Sequence, residues 1–259
     1  MMRIVQLADI HFGAEDPRAI AVTEEEVARL GPDAIFVCGD LTQRGKRSEF
    51  EAASNWLRGL GAPLIATPGN HDTPLLNMLD RVSRPFERFQ EFVGDLARPL
   101  VVSEAVAAEF NTARGWQARG NWAEGSVRFE ELDRAIAETG AAAGARFVLC
   151  HHPFVSPPGS PLRTATRRGD RADARMAQSA AHVLLTGHVH APSAAVRRAS
   201  GGAYLAISAG TLSKRLRDEP ASFNVLELDA GALSATAVMI GETVERRELG
   251  RWALGEFSS

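Results

Sequence analysis

Pro63-Leu64-Ile65-Ala66-Thr67-Pro68-Gly69-Asn70-His71-Asp72 is the stretch on which the reading of this chain turns. The apolar run 63–66 reads as a buried strand. A turn at Gly69 then presents Asn70 and His71 at its C-terminal end, where ligand-binding and catalytic groups gather in layered α/β folds. Pro-Gly-Asn alone is common turn punctuation, so the stretch draws its meaning from its company. Four other segments also place Asp or His directly after an apolar run. They are Asp9-Ile10-His11, Gly39-Asp40, His151-His152-Pro153 and Gly187-His188-Val189-His190.

Outward from these segments the chain alternates between strand and helix patterns. Residues 3–8, 34–38, 146–150 and 183–186 read as buried strands. Residues 17–30 carry apolar side chains at helical spacing and stop at Gly31-Pro32. A second helix runs from Ser48, read as its cap, to residue 60, and Gly61 closes it. This rhythm predicts parallel strands joined by crossover helices. Residues 73–94 and 129–139 read as helical, 99–103 and 105–110 as two strands, and 157–175 as a Pro-, Gly- and Arg-rich loop before a helix over 174–181. The stretches 203–208, 223–228 and 233–239 alternate as antiparallel strands do. Residues 111–125 hold Arg114, Trp116, Arg119 and Trp122 among glycines; a loop beside a substrate and a surface loop pinned by tryptophans both fit. No repeat or linker composition breaks the chain, so one domain over residues 1–259 is expected.

Composition narrows the function classes. An apolar content of 45% and a charged content of 24% are ordinary for a globular protein of this size. A formal net charge of -3 exerts no global pull on nucleic acid or anionic membrane. No apolar stretch reaches the roughly 20 residues of a membrane span. Residues 1–5 lead straight into a strand without a signal-peptide pattern. Cys38 and Cys150, each ending an apolar strand, read as buried reduced residues rather than a disulfide framework. A cytoplasmic location is the expectation.

Six of the seven histidines, three aspartates and one asparagine fall into the five strand-end segments. Asp9 and His11 are two apart, so an extended backbone would point both to one side to share an ion. His188 and His190 repeat that spacing. Asp40 can bridge two ions, and Asn70 and His151 complete seven nitrogen and oxygen donors with no thiolate. Such a set suits Mn, Fe or Zn better than Ca or Mg. Two ions can hold a hydroxide nucleophilic near neutral pH and orient an in-line displacement at phosphorus. His71 would then lie beside the ions and serve the leaving oxygen as a proton or hydrogen-bond donor. Taken singly each segment has a bland explanation as a cap, a turn or packing; together they describe one shared site. His182, outside the segments, reads as a helix-end or core residue.

Asp9-x-His11, Gly39-Asp40, Gly69-Asn70-His71-Asp72, His151-His152-Pro153 and Gly187-His188-Val189-His190 resemble, in order, the signature of calcineurin-like metallophosphoesterases. The resemblance spans residues 9–190. It implies a four-layer αββα sandwich of two mixed β-sheets flanked by helices, with a dinuclear metal site at the strand ends. It also implies Asp9, His11, Asp40 and His190 on one ion, Asp40, Asn70, His151 and His188 on the other, and His71 as the catalytic histidine. A hydrogen bond behind the ligands is expected of His152. Shorter motifs are similar to bacterial class III cyclic-nucleotide phosphodiesterases and glycerophosphodiesterase-type relatives. These are Gly39-Asp40-Leu41-Thr42 with Gly45, residues 110–114 with Gly125, and Ala209-Gly210-Thr211 with Arg215. Arg114 is a candidate substrate-binding residue.

The expected function is therefore hydrolysis of a small phosphodiester, such as a 3′,5′-cyclic nucleotide or glycerophosphodiester, with two metal ions as cofactors. Three alternatives stand beside it. A nuclease would use the five arginines, against two aspartates, between Arg163 and Arg175; no aromatic residue lies among them for base stacking, which disfavours nucleic acid as a partner. A lipid or nucleotide-sugar pyrophosphatase would use the region from Leu75 to Phe92 as an apolar lid, against the alternative that those residues pack in the core. A non-catalytic scaffold of the same fold is the third. A homodimer is left open.

Overall fold

The computed structural model describes every residue except 119–120, 141–143, 161, 163–165 and 258–259. From the N-terminus the elements are β1 (Met2–Leu7), α1 (Pro17–Leu30), β2 (Ala34–Cys38), α2 (Arg47–Gly59) and β3 (Leu64–Thr67). Two short helices, α3 (Met78–Ser83) and α4 (Glu87–Val93), precede β4 (Leu100–Val102) and β5 (Ala105–Glu109). Next come α5 (Phe129–Gly140), β6 (Ala145–Leu149), α6 (Gly169–Ala177) and β7 (Val183–Thr186). The chain finishes through β8 (Ser193–Ala199), β9 (Gly202–Ser208), β10 (Ala221–Asp229), β11 (Ala232–Ile240) and β12 (Val244–Ala253).

The strands form two six-stranded sheets, ordered β12-β11-β10-β1-β2-β3 and β4-β5-β6-β7-β9-β8. Both are mixed. β1, β2 and β3 are parallel in the first, and β5, β6, β7 and β9 in the second. Alternation along the strands builds the layers. Ile4, Phe36, Cys38 and Ile65 face Phe147, Leu149, Leu185 and Ile207 in the core between the sheets. The opposite faces of β1 and β2, with Val5, Leu7, Ile35 and Val37, pack on Ala19 and Val27 of α1 and Phe50 and Leu57 of α2. On the far side Val148 and Leu184 meet Leu132 and Ala135 of α5 and Met176 of α6. Three apolar cores separate four layers, the αββα sandwich expected from the sequence.

A buried polar link crosses the central core. Gln6 of β1 donates through Nε2 to the Thr186 carbonyl of β7 at 3.0 Å, and Asn224 of β10 donates to Gln6 Oε1 at 2.9 Å. It clamps the two sheets together at the end where β1 and β7 run out.

Several local expectations are corrected. Ser48 lies inside α2, whose N-cap is Lys46; Glu49 turns back to accept from the backbone N–H of Arg44 at 2.7 Å and of Lys46 at 3.3 Å. The helical pattern 73–94 breaks in two because Pro85 forces Arg84 out of helical geometry. Phe89 and Val93 do reach the core, but Leu76 and Leu79 are 78% and 82% exposed. The Arg-rich stretch becomes helical at Gly169, where Ala172, Met176 and Ala177 bury against the second sheet. β8 and β12 escape the alternation reading: both are edge strands, and no residue of either is buried. Arg119 and Arg163 lie outside the described residues.

Candidate metal centre

All five strand-end segments converge on one edge of the sandwich, because the parallel strands in each sheet end at matching register. Leu7 pairs with Val37, Cys38 with Thr67, and Leu149 with Leu185. Asp9, His11, Asp40, Asn70, His151, His188 and His190 are all buried there, and His71 sits half-buried beside them.

The backbone reason for the Asp-x-His spacing differs from the expected extended geometry. Asp9, His11, Asp40, His188 and His190 all have left-handed φ, between 52° and 70°. Strands β1, β2 and β7 have already ended, and each loop coils back so that its side chains turn under the strand end. Left-handed backbone at five non-glycine residues is strained, and such strain clusters at functional sites. It is held by links between loops: the Asp9 N–H donates to the Gly39 carbonyl and the His11 N–H to the Asp40 carbonyl, both at 3.0 Å. Asp72 completes the frame. Its carboxylate accepts from the N–H groups of Thr42 and Gly69, both at 2.9 Å, tying the loop after β2 to the loop after β3. Burial and the nearby Asp40 raise that carboxyl to about 7.

Each aspartate in the cluster spends one oxygen on the backbone and keeps the other for the centre. Asp9 Oδ2 accepts from the His188 N–H at 2.7 Å, and Asp40 Oδ1 from the His71 N–H at 2.8 Å. The remaining oxygens face imidazoles: Asp9 Oδ1 lies 3.1 Å from His190 Nε2, and Asp40 Oδ2 lies 3.3 Å from His151 Nε2. The tautomers decide what these contacts mean. His190 Nδ1 donates to the Arg215 carbonyl at 2.7 Å and His151 Nδ1 to the Cys38 carbonyl at 2.8 Å, since a carbonyl can only accept. In the neutral rings both Nε2 atoms therefore carry lone pairs, aimed at carboxylate lone pairs. A cation between them, proton or metal ion, removes the repulsion. Burial opposes charging His151, yet Asp40 outweighs it and holds the ring up at about 9. Asp40 is likewise held well below the usual carboxylate range: burial raises it, and His151 and His71 more than compensate. His11, by contrast, is pushed by burial down to about 3.

The residues fit metal ions. Asp9 Oδ1, His11 Nδ1, Asn70 Oδ1 and His151 Nε2 are buried without a hydrogen-bond partner among the described residues. Donor atoms of Asp9, His11 and His190 converge within 4.8 Å of one another, and so do those of Asp9, Asp40 and His151. Cys38 and Cys150 are free and buried, their thiols pushed up by burial, which leaves the nitrogen and oxygen donors to define the chemistry. His152 approaches His151 and His188 as closely, but both its ring nitrogens are engaged. Nδ1 meets Thr112 Oγ1 and Nε2 donates to the Ala123 carbonyl, each at 2.9 Å. It ties the loop of His151 to the loop around Ala123.

A cleft opens above the cluster, lined by Asp40, Asn70, His71, His188 and His190 on its floor and by Asn121, Ala123, Glu124, Leu162, Arg215 and Arg217 around it. His71 donates through Nδ1 to the Gln43 carbonyl at 2.8 Å and accepts at Nε2 from Arg215 Nη1 at 3.0 Å. Arg114 stands apart from this cleft. Its guanidinium donates to the carbonyls of Ala113 at 2.7 Å and Ser126 at 2.6 Å, holding the 111–126 loop from behind. Trp122 lies under the Arg81 guanidinium, 5.5 Å from its carbon to the ring centre, and Trp116 is exposed. The described part of the loop thus reaches the cleft through Asn121, Ala123 and Glu124 rather than through Arg114, Trp116 or Trp122. Gln43, Asp72 and Arg215 hold the site by contacts across space; the motifs that include Asp72 and Arg215 do not reveal these partners, and no motif singles out Gln43.

The family model for calcineurin-like phosphoesterases matches residues 2–192. The chain belongs to that family. Among curated proteins it is similar to a probable cyclic nucleotide phosphodiesterase of Synechococcus sp., 26% identical over 170 residues, covering 60% of this chain and 59% of the relative. It is also similar to the glycerophosphodiester phosphodiesterase GpdQ of Enterobacter lignolyticus, 25% identical over 170 residues, covering 59% and 57%. The match thus spans less than two thirds of these relatives' lengths. Among solved structures, a dimetal phosphatase from Danio rerio superposes with a TM-score of 0.65 at 11% identity, covering 96% of this chain and 99% of that one. The purple acid phosphatase PPD1 of yellow lupin gives 0.59 at 12%, covering 92% and 51%. These structural likenesses speak for the fold. No helix among the described residues is long and apolar enough to cross a membrane.

Proposed function

We propose that this protein is a metal-dependent phosphodiesterase that hydrolyses a small phosphodiester, with two ions held at the strand ends. The observation that carries the reading is geometric: with their Nδ1 atoms committed to backbone carbonyls, His151 and His190 aim Nε2 at Asp40 and Asp9 at 3.3 Å and 3.1 Å. One ion would be held by Asp9, His11, Asp40 and His190, the other by Asp40, Asn70, His151 and His188, with Asp40 shared. When bound, the ions supply a nucleophilic hydroxide and neutralise phosphate oxygens. The chain's own residues do the rest. The carbonyls of Cys38 and Arg215 fix the tautomers of His151 and His190. His71, anchored on the Gln43 carbonyl, presents Nε2 to the cleft where a leaving oxygen departs. The phosphodiesterase names of two relatives favour a diester over a monoester. The identity of the ions as Mn, Fe or Zn, a cytoplasmic setting and a single domain over residues 1–259 belong to the same proposal.

The test is turnover of the Mn-reconstituted protein on bis(p-nitrophenyl) phosphate and on p-nitrophenyl phosphate, with Asn70→Ala as control. Diester preference, lost in Asn70→Ala at unchanged folding, supports the proposal. Monoester preference would make it a phosphatase. Inertness on both with metal bound would favour a scaffold.

A further inference from the structure

Arg215 lies beyond residues 2–192, where the family match ends, and its surroundings give it a task. Its backbone is tied to the proposed ion site from two directions. Its carbonyl accepts from His190 Nδ1 at 2.7 Å, and its N–H donates to Ser213 Oγ at 3.2 Å. Ser213 Oγ shares a 2.7 Å hydrogen bond with Thr211 Oγ1, which donates to the Asp9 carbonyl at 2.6 Å. The guanidinium reaches back over the cleft to His71 Nε2 at 3.0 Å and Gln43 Oε1 at 3.3 Å. Both contacts come from Nη1, and neither partner is a carboxylate. No carboxylate among the described residues forms an ion pair with this half-buried cation. A guanidinium has five N–H donors in a planar fork that matches a phosphoryl group. Here the fork stands on the wall of a cleft whose floor carries Asp40, Asn70 and His188.

We propose that Arg215 is a catalytic residue that binds the phosphoryl oxygens of the substrate, and that His71 and Gln43 hold its guanidinium ready until the anion arrives. The inference rests on the phosphodiesterase reading of the same cleft and names the group that recognises the anion. His71 thereby has a second duty: with Nδ1–H committed to Gln43, its Nε2 lone pair positions the arginine. Arg217, exposed on the same rim, extends the positive wall outward. Lysine cannot replace Arg215, because a point charge on a flexible stem lacks the fork.

The experiment compares the metal-loaded protein with Arg215→Ala and Arg215→Lys. Both variants keep the backbone carbonyl that holds His190. Inorganic phosphate is titrated calorimetrically, bis(p-nitrophenyl) phosphate turnover is measured, and bound metal is counted in each sample. The expected result is unchanged metal content, phosphate binding weaker by about tenfold or more, and kcat/KM lower on the order of 100-fold in Arg215→Ala. Arg215→Lys should recover only part, and added methylguanidinium should restore part of the Arg215→Ala turnover, which a structural role would not allow. Phosphate affinity within about threefold of the unaltered protein in Arg215→Ala overturns the inference, as does an unaltered protein that binds no phosphate. If the unaltered protein binds phosphate but cleaves no phosphoester, the phosphodiesterase reading fails while the titration still decides the role of Arg215.

Discussion

Replacing Gly69 with alanine tests how tightly the loops hold the candidate centre. A Cβ at Gly69 would lie 2.1 Å from Asp40 Oδ1 and 2.4 Å from the Asp40 nitrogen, where real Cβ contacts stop at 3.0 Å. The gap must open by about 0.9 Å, and Asp40 cannot give way alone. Its Oδ1 accepts from the His71 N–H at 2.8 Å and its Oδ2 faces His151 at 3.3 Å. A misplacement near 1 Å in a catalytic group costs on the order of 100-fold in rate, and overpacking of this kind costs about 1–3 kcal/mol of stability. Gly59→Ala is the matched control: it lies in α2 with nothing within 4 Å of its added Cβ. Helix propensity there should add about 0.5–1 kcal/mol without touching turnover. The assay is kcat/KM on bis(p-nitrophenyl) phosphate, with bound metal counted and urea denaturation run on each variant. A Gly69→Ala protein with full metal content and full turnover would refute the reasoning.

Three further outcomes are expected. Burial raises the Glu109 carboxyl from 4.5 to about 7, so its folded form resists ionisation. The cost is absent below pH 4.5, grows as pH rises to about 7 and is constant above; Glu109→Gln should therefore stabilise by up to ~3 kcal/mol at pH 8.5 and by almost nothing at pH 4.5, read by urea denaturation. Arg171 and Arg175 stack on Phe129, 4.7 Å and 4.9 Å from its ring centre, and none of the three lines the cleft. Their joint replacement by alanine should cost about 1–2 kcal/mol of stability and leave small-diester turnover within about twofold; a large loss of turnover would show that this face serves the substrate. Chelation should abolish turnover and lower Tm, and Mn should restore both, because ions that bind only the folded state stabilise it. A Tm indifferent to chelator would count against a bound metal.

Legibility varied along the chain for physical reasons. Helix α1 announced both its ends locally: Asp16 Oδ1 accepts from the Arg18 N–H at 2.9 Å, Pro17 opens the first turn, and Gly31 closes it at a φ of 54°. The ends of β1, β2, β3, β6 and β7 were legible because five mostly apolar runs, each closely followed by Asp, Asn or His, point together to one site although each singly has a bland explanation. The region 73–94 misled because its leucines have helical spacing but face solvent, and only the Phe89 turn docks. In β12, charged residues dominate because the strand pairs on one side only, so alternation carried little signal. Within the site, residue types and spacing named the side chains that cluster, but not the left-handed turns at Asp9 and His11. The duties of Asp72 and Arg215 stayed hidden because their partners lie about 30 and 144 residues away.

The most direct measurement is anomalous diffraction at the Mn edge from crystals of the Mn-loaded protein. The account predicts two peaks, one among Asp9, His11, Asp40 and His190 and one among Asp40, Asn70, His151 and His188, with Asp40 touching both. A single peak, or peaks away from Asp40, would contradict it.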